Sequence, residues 1–189
     1  MWPAIIAADA AQVIRRLPML TLDQPVDLYA VGFSAGYPGC RASAPTATSI
    51  SHINSTLGIV LPPVFVAFAQ KCPAYSGCYF TSIGEDYRNP RHILNENEEY
   101  HVRGPTWCVP SWLVVVTHIY DGDCEGLDSR RRNESGEYPV RYWDASEGLE
   151  FDNAGWPVFE SFQDYLEQTI IMHAKLRDPK YVEKVISEA

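Results

Sequence analysis

The sequence predicts an α+β domain, an antiparallel or mixed twisted sheet packed against helices. Three observations predict it. Ile50, Ile53 and Leu57 recur at helical spacing, and Gly58 stands where a left-handed residue would close the helix. The Val-rich run Trp112–Tyr120 is followed at once by Asp121-Gly122, a dipeptide suited to a tight turn between antiparallel strands. Ser161 opens an amphipathic stretch with Asp164 three residues on, a capping-box spacing. Phe162, Tyr165, Leu166, Thr169 and Ile170 then fall on one face.

Taken in order, residues 4–17 have the apolar spacing of a short helix, and Leu28–Phe33 that of a strand. Ser34–Thr48 is rich in Gly, Pro, Ser, Ala and Thr, the composition of a loop or linker. Residues 1–48 are therefore expected to be an extension or subdomain, and 49–189 the main domain. The helix opening at Ser49 leads into Leu61-Pro62-Pro63, where proline costs little because a first-turn N–H has no partner within a helix. Val64, Phe65 and Phe68 make a second helix ending before Pro73. Cys78–Ile83 reads as a strand, and Asn89–Glu99 is a polar stretch with Ile93 and Leu94 as its large apolar residues. Trp112–Tyr120 is dense enough in Val for a central buried strand, Cys124–Asp128 returns alongside it, and Arg130–Glu137 is a polar loop. In Tyr138–Asp144, Tyr138, Val140 and Tyr142 alternate with Pro139, Arg141 and Trp143, and the proline argues for an edge position. A last short helix is expected at 179–187.

The 189 residues are 46% hydrophobic and 21% charged, close to an ordinary globular domain. No apolar run approaches the roughly 20 residues of a membrane helix. The apolar stretch Trp2–Ala8 has no basic residues before it and Asp9 interrupts it, so a cytoplasmic location is expected. Five cysteines with no CxxC pair suit reduced thiols better than a disulfide framework or a zinc site. The net charge of −9 is uneven: between His118 and Glu160 eleven acids face four arginines, which leaves −2 for the rest. Such a region repels nucleic acid and membrane phosphates and attracts a basic partner.

Motifs for chemistry are weak. Gly32-Phe33-Ser34-Ala35-Gly36 matches G-x-S-x-G after an apolar strand, which in a hydrolase would expose Ser34 as nucleophile. Tyr37-Pro38-Gly39 would stop the helix that such an elbow needs, so a glycine-bounded turn is the better reading. Asp121-Gly122-Asp123-Cys124-Glu125-Gly126 resembles the start of a calcium loop, but position twelve is Arg132 where a bidentate Glu must close the cage. The five histidines form no HxH or HExxH pair, and no phosphate-binding glycine loop occurs. No cofactor and no metal are expected. What remains is a surface: acids between Asp121 and Glu150 interleaved with Tyr120, Tyr138, Tyr142 and Trp143, where aromatics supply binding energy and charge selects the partner.

Three stretches resemble the SUKH superfamily, which includes the Smi/Knr fungal cell-wall regulators and many bacterial immunity proteins. They are ISHINSTLGIVLPPVFVAF (Ile50–Phe68), VVVTHIYDGDCEGLDS (Val114–Ser129), and GEYPVRYWD (Gly136–Asp144) followed by SFQDYLEQTI (Ser161–Ile170). The resemblance spans residues 49 to about 172 and implies a SUKH-like fold without catalytic apparatus. In bacteria it implies neutralisation of a secreted toxin, often a nuclease, by direct binding. A nuclease carries a basic cleft for phosphates, which an acidic inhibitor can occlude. The expected partner is thus a toxin protein with a basic surface. The contact residues expected are Asp121, Asp123, Glu125, Asp128, Glu134, Glu137, Tyr142, Trp143 and Asp144. The alternatives are a regulatory scaffold of the same family and a serine hydrolase using Ser34.

Overall fold

A computed structural model describes residues 43–71, 80–103, 109–119, 122–145, 149–150, 159–177 and 180. The expected helix at 4–17, the strand at 28–33, Ser34, Tyr120, Asp121 and nearly all of the expected last helix lie outside these described residues. The chain divides into two compact units, residues 38–163 and residues 1–37 with 164–189. The described elements are α1 (Ala47–Leu57), α2 (Pro63–Lys71), α3 (Ile93–Glu98) running into a π-helical turn (Glu99–Arg103), β1 (Leu113–His118), β2 (Cys124–Asp128), β3 (Val140–Asp144), β4 (Leu149–Glu150) and α4 (Phe162–Arg177).

Helix α1 begins two residues before Ser49 because Thr46 caps it. Thr46 Oγ1 accepts from Ser49 N–H at 3.2 Å, and Ser49 Oγ accepts from Thr46 N–H at 3.0 Å. Gly58 ends it at φ 69°, as its position predicts. Helix α2 starts at Pro63, and its Phe65 and Phe68 are fully buried. Those rings join Phe80 and Phe162 in one aromatic cluster: Phe65–Phe162 centroids lie 4.7 Å apart, Phe68–Phe80 5.4 Å, and Phe80–Phe162 5.7 Å.

The polar stretch before the sheet is where the structure adds most. Ile93, Glu96, Asn97 and Tyr100 are all buried, a stripe at helical spacing along α3 and the π-helical turn. His92 caps α3, its Nδ1 accepting from Leu94 N–H at 3.3 Å. The helix packs on β1 and on α1.

The sheet of the described residues runs in the order β1-β2-β3-β4 with every named strand pair antiparallel, so the α+β expectation holds. The β1–β2 turn contains Gly122 at φ 90°, and Ile119 N–H donates to the Asp123 carbonyl at 2.8 Å across it. Strand β1 is buried on both faces and stands first in the order of the described strands. Its outer edge meets Phe80 and Thr81, with Thr81 N–H donating to the Val116 carbonyl at 2.8 Å, and the side chain of Asn97. The described part of the expected Cys78–Ile83 strand makes only isolated bridges, Phe80 to Thr117 and Ser82 to His92. Val116 is the extra residue of a bulge, since Val115 pairs with Gly126 and Thr117 with Glu125. Strand β3 begins at Val140 rather than Tyr138 and lies between β2 and β4, which corrects the edge position argued from Pro139. The proline sits just before the strand, and its carbonyl still accepts from Asp128 N–H at 2.8 Å.

Leu113, Val115, Cys124 and Trp143 form one core with Tyr100 and Val109. In α4, Phe162, Tyr165, Leu166 and Thr169 are buried, the face its spacing predicts.

Candidate protein-binding surface

Alternation along paired strands decides which side chains can meet a partner. Glu125 on β2 lies directly across from Tyr142 on β3. Two residues along each strand stand Asp123 and Asp144, on the same face by parity. All four side chains are half-buried, so this end of the sheet is open to solvent. The opposite parity carries Cys124 and Trp143, which are buried in the core.

Asp123 organises the open end. One carboxylate oxygen accepts a short hydrogen bond from the Tyr142 hydroxyl, and the other accepts from Ala145 N–H at 3.0 Å. The hairpin is thereby tied to the end of β3. Burial, the hydrogen bond to Asp123, and the charges of Asp123, Asp144 and Glu125 push the Tyr142 phenol far up, so it stays protonated and keeps donating. The result is an aromatic ring surrounded by three carboxylates.

The other expected contact residues are placed differently. Glu134 is exposed in the loop after β2. Trp143 is 8% exposed. Asp128 is fully buried, and Arg130 grips it bidentately, with Nε to Oδ1 at 2.8 Å and Nη2 to Oδ2 at 2.8 Å. Arg141 Nε lies 3.5 Å from Asp128 Oδ2, and the Arg130 guanidinium stacks 3.5 Å over the Trp112 ring. Burial alone would raise the Asp128 carboxyl, but the hydrogen bonds from Arg130 and the two guanidinium charges outweigh it and hold it below its ordinary value. Glu137 is also buried, and its Oε1 accepts from Val64 N–H at 3.1 Å. It places a carboxylate at the N-terminus of α2, where the helix dipole favours one. Asp128, Glu137 and Trp143 therefore hold the fold beneath the surface, while Glu125, Glu134, Tyr142 and Asp144 are reachable from outside.

Behind the hairpin is a polar network that sequence reasoning missed. The Tyr100 hydroxyl lies 2.6 Å from His118 Nδ1 and 3.2 Å from the Asp123 carbonyl. Glu96 Oε2 is 4.0 Å from His118 Nδ1, and Arg91 Nη1 donates to Glu96 Oε1 at 3.1 Å. The signal was the helical spacing of Ile93, Glu96, Asn97 and Tyr100, with Glu96 and Asn97 hiding it.

Among the described residues, no group of three or more His, Cys, Asp or Glu could hold a metal ion, and no helix is long and apolar enough to cross a membrane. Neither a search of curated proteins nor one of solved structures gave a match. The family model of the SMI1 / KNR4 family (SUKH-1) matches residues 44–168, well over half of the chain and all four strands. With an antiparallel sheet backed by helices over that same span, the chain belongs to the SMI1 / KNR4 family (SUKH-1).

Proposed function

We propose that this protein is an immunity protein that neutralises a cognate toxin by direct binding and performs no catalysis of its own. The partner is a protein with a basic surface, such as the phosphate-binding cleft of a nuclease, met in the cytoplasm. The observation that carries the reading is Tyr142 set among Asp123, Glu125 and Asp144 at the open end of the sheet. An aromatic ring offers contact area at low entropic cost, and the carboxylates around it draw a cationic partner and reject an anionic one. Family membership supports the reading, because interaction and immunity are the roles its members generally have. A tight inhibitor interface buries on the order of 1,600 Å² in total, so the contact extends beyond these four residues. Glu134 is the next reachable acid along the sequence, and the surface lies within the compact unit of residues 38–163.

The test is co-expression with a toxin domain encoded beside this gene. A chain carrying Glu125→Lys, Glu134→Lys and Asp144→Lys should fold and lose protection. A folded triple variant that protects as well as the original would remove this surface from the interface.

A further inference from the structure

Tyr100 is 1% exposed in the π-helical turn, and its hydroxyl lies near two groups that can accept its proton, among the described residues. One is His118 Nδ1 at 2.6 Å, and the other is the Asp123 carbonyl at 3.2 Å. His118 ends β1 across from Cys124, and its side chain is 32% exposed, so water can deliver a proton to it. We infer that His118 is a proton-controlled latch on the β1–β2 hairpin, directing the Tyr100 hydroxyl either to itself or to the Asp123 carbonyl.

When Nδ1 carries a lone pair, it accepts the Tyr100 proton at the shorter distance. When water protonates Nδ1, the new N–H donates to the Tyr100 oxygen, and the hydroxyl proton swings to Asp123 O. No covalent bond of Tyr100 changes. Burial pushes its phenol far up, so it remains a donor throughout. Asp123 O already accepts from Ile119 N–H, so the added bond tightens the hairpin end whose side chain holds Tyr142 and Ala145.

The groups facing the imidazole set the working range. From α3, Glu96 favours the charged ring; Arg91, which grips Glu96, opposes it. From β2, Cys124 is neutral, because burial pushes its thiol far above the ordinary value. Among the described residues, Tyr100 from the π-helical turn also faces the ring, with the Asp123 carbonyl beside its hydroxyl. Burial and Arg91 together pull His118 below its ordinary 6.5. That the latch tunes partner binding rests on the proposed function; the latch itself does not.

An NMR titration of the full chain without any partner tests it. The His118 ring resonances and the Asp123 and Tyr142 amides should move with one shared midpoint below 6.5. In Tyr100→Phe, His118 should still titrate while the Asp123 and Tyr142 responses collapse. Persistence of those responses in Tyr100→Phe, flat amides in the wild type, or a His118 that never titrates would each overturn the latch. Should the phenylalanine chain not fold, the Tyr100 Cζ resonance of the wild type decides: moving with the His118 midpoint supports the latch, and standing still overturns it. With no toxin in the tube, failure here leaves the immunity reading untouched, and failure of that reading leaves the latch standing.

Discussion

Asn97 pairs with the backbone of Val115 as a neighbouring strand would: its Oδ1 accepts from Val115 N–H at 2.9 Å, and its Nδ2 donates to the Val115 carbonyl at 3.0 Å. The Nδ2 group also donates to the Ile93 carbonyl at 2.8 Å, so one side chain fastens α3 to the outer edge of β1. Both partners are buried. Replacing Asn97 by Leu keeps the volume and leaves two buried backbone groups without their partner, at about 1–3 kcal/mol each. A loss of ~2–4 kcal/mol is expected in urea unfolding, and a change under 1 kcal/mol would show that the pairing contributes little.

The Arg130–Asp128–Arg141 cluster responds to charge removal and to acid. Asp128→Asn leaves the buried Arg141 guanidinium facing a neutral amide, and a destabilisation of ~3 kcal/mol or more is expected from chemical denaturation. The folded carboxyl lies below its ordinary 3.8, so the unfolded chain takes up the proton first as pH falls. Its stabilising contribution is complete above 3.8 and disappears as pH drops through the folded value. The Asn variant should therefore lose less stability than the wild type between pH 4 and lower pH.

His92 acts at milder pH. It is fully buried, its Nδ1 accepts from Leu94 N–H, and its Nε2 lies 3.1 Å from the Gly84 carbonyl. A neutral ring with its proton on Nε2 satisfies both. Burial pulls it below 6.5; the Gly84 bond and Asp86 pull the other way, and nearby His52 adds to the lowering. The unfolded chain protonates near 6.5 and the folded chain only below that, so stability is full above 6.5 and falls as pH drops beneath it. His118 contributes with the same sign. Urea midpoints should decline from pH 7 to pH 5, and the decline should be shallower in His92→Gln.

At the proposed interface, charge and ring should separate kinetically. Glu125→Lys with Asp144→Lys should slow association with the toxin by tenfold or more at low salt and less so at high salt. Tyr142→Ala should chiefly speed dissociation, since an interface anchor of this type contributes on the order of 2 kcal/mol. Stopped-flow association and dissociation rates at two ionic strengths distinguish these; equal effects on both rates would count against the division of labour.

How far the sequence spoke depended on where polar residues sit. The α1, α2 and α4 faces, β1, β2 and the Gly122 turn follow from apolar spacing and turn chemistry, which local physics dictates. Asn89–Glu99 reads as polar in the sequence because two of the four buried stripe positions along α3 and the π-helical turn are Glu96 and Asn97, which meet His118 and Val115 across the fold. Pro139 misled for a related reason: it lacks an N–H, yet its carbonyl can still join a ladder just outside an internal strand. At the site, Glu125 beside Tyr142 is recoverable from the period of two. That Asp128 and Glu137 turn inward is not, since an acid facing a buried arginine or a helix N-terminus looks in sequence like any surface acid.

The bulge at Val116 and the Asn97 clasp have one more effect. At Val115, Val116 and Thr117 the main-chain groups on this side of β1 are already engaged by Asn97, Thr81 and Phe80. A foreign strand would have to displace those contacts to pair at these three residues. Recognition at this flank must then be written in side chains alone, which can be exchanged one at a time while the scaffold beneath stays as it is.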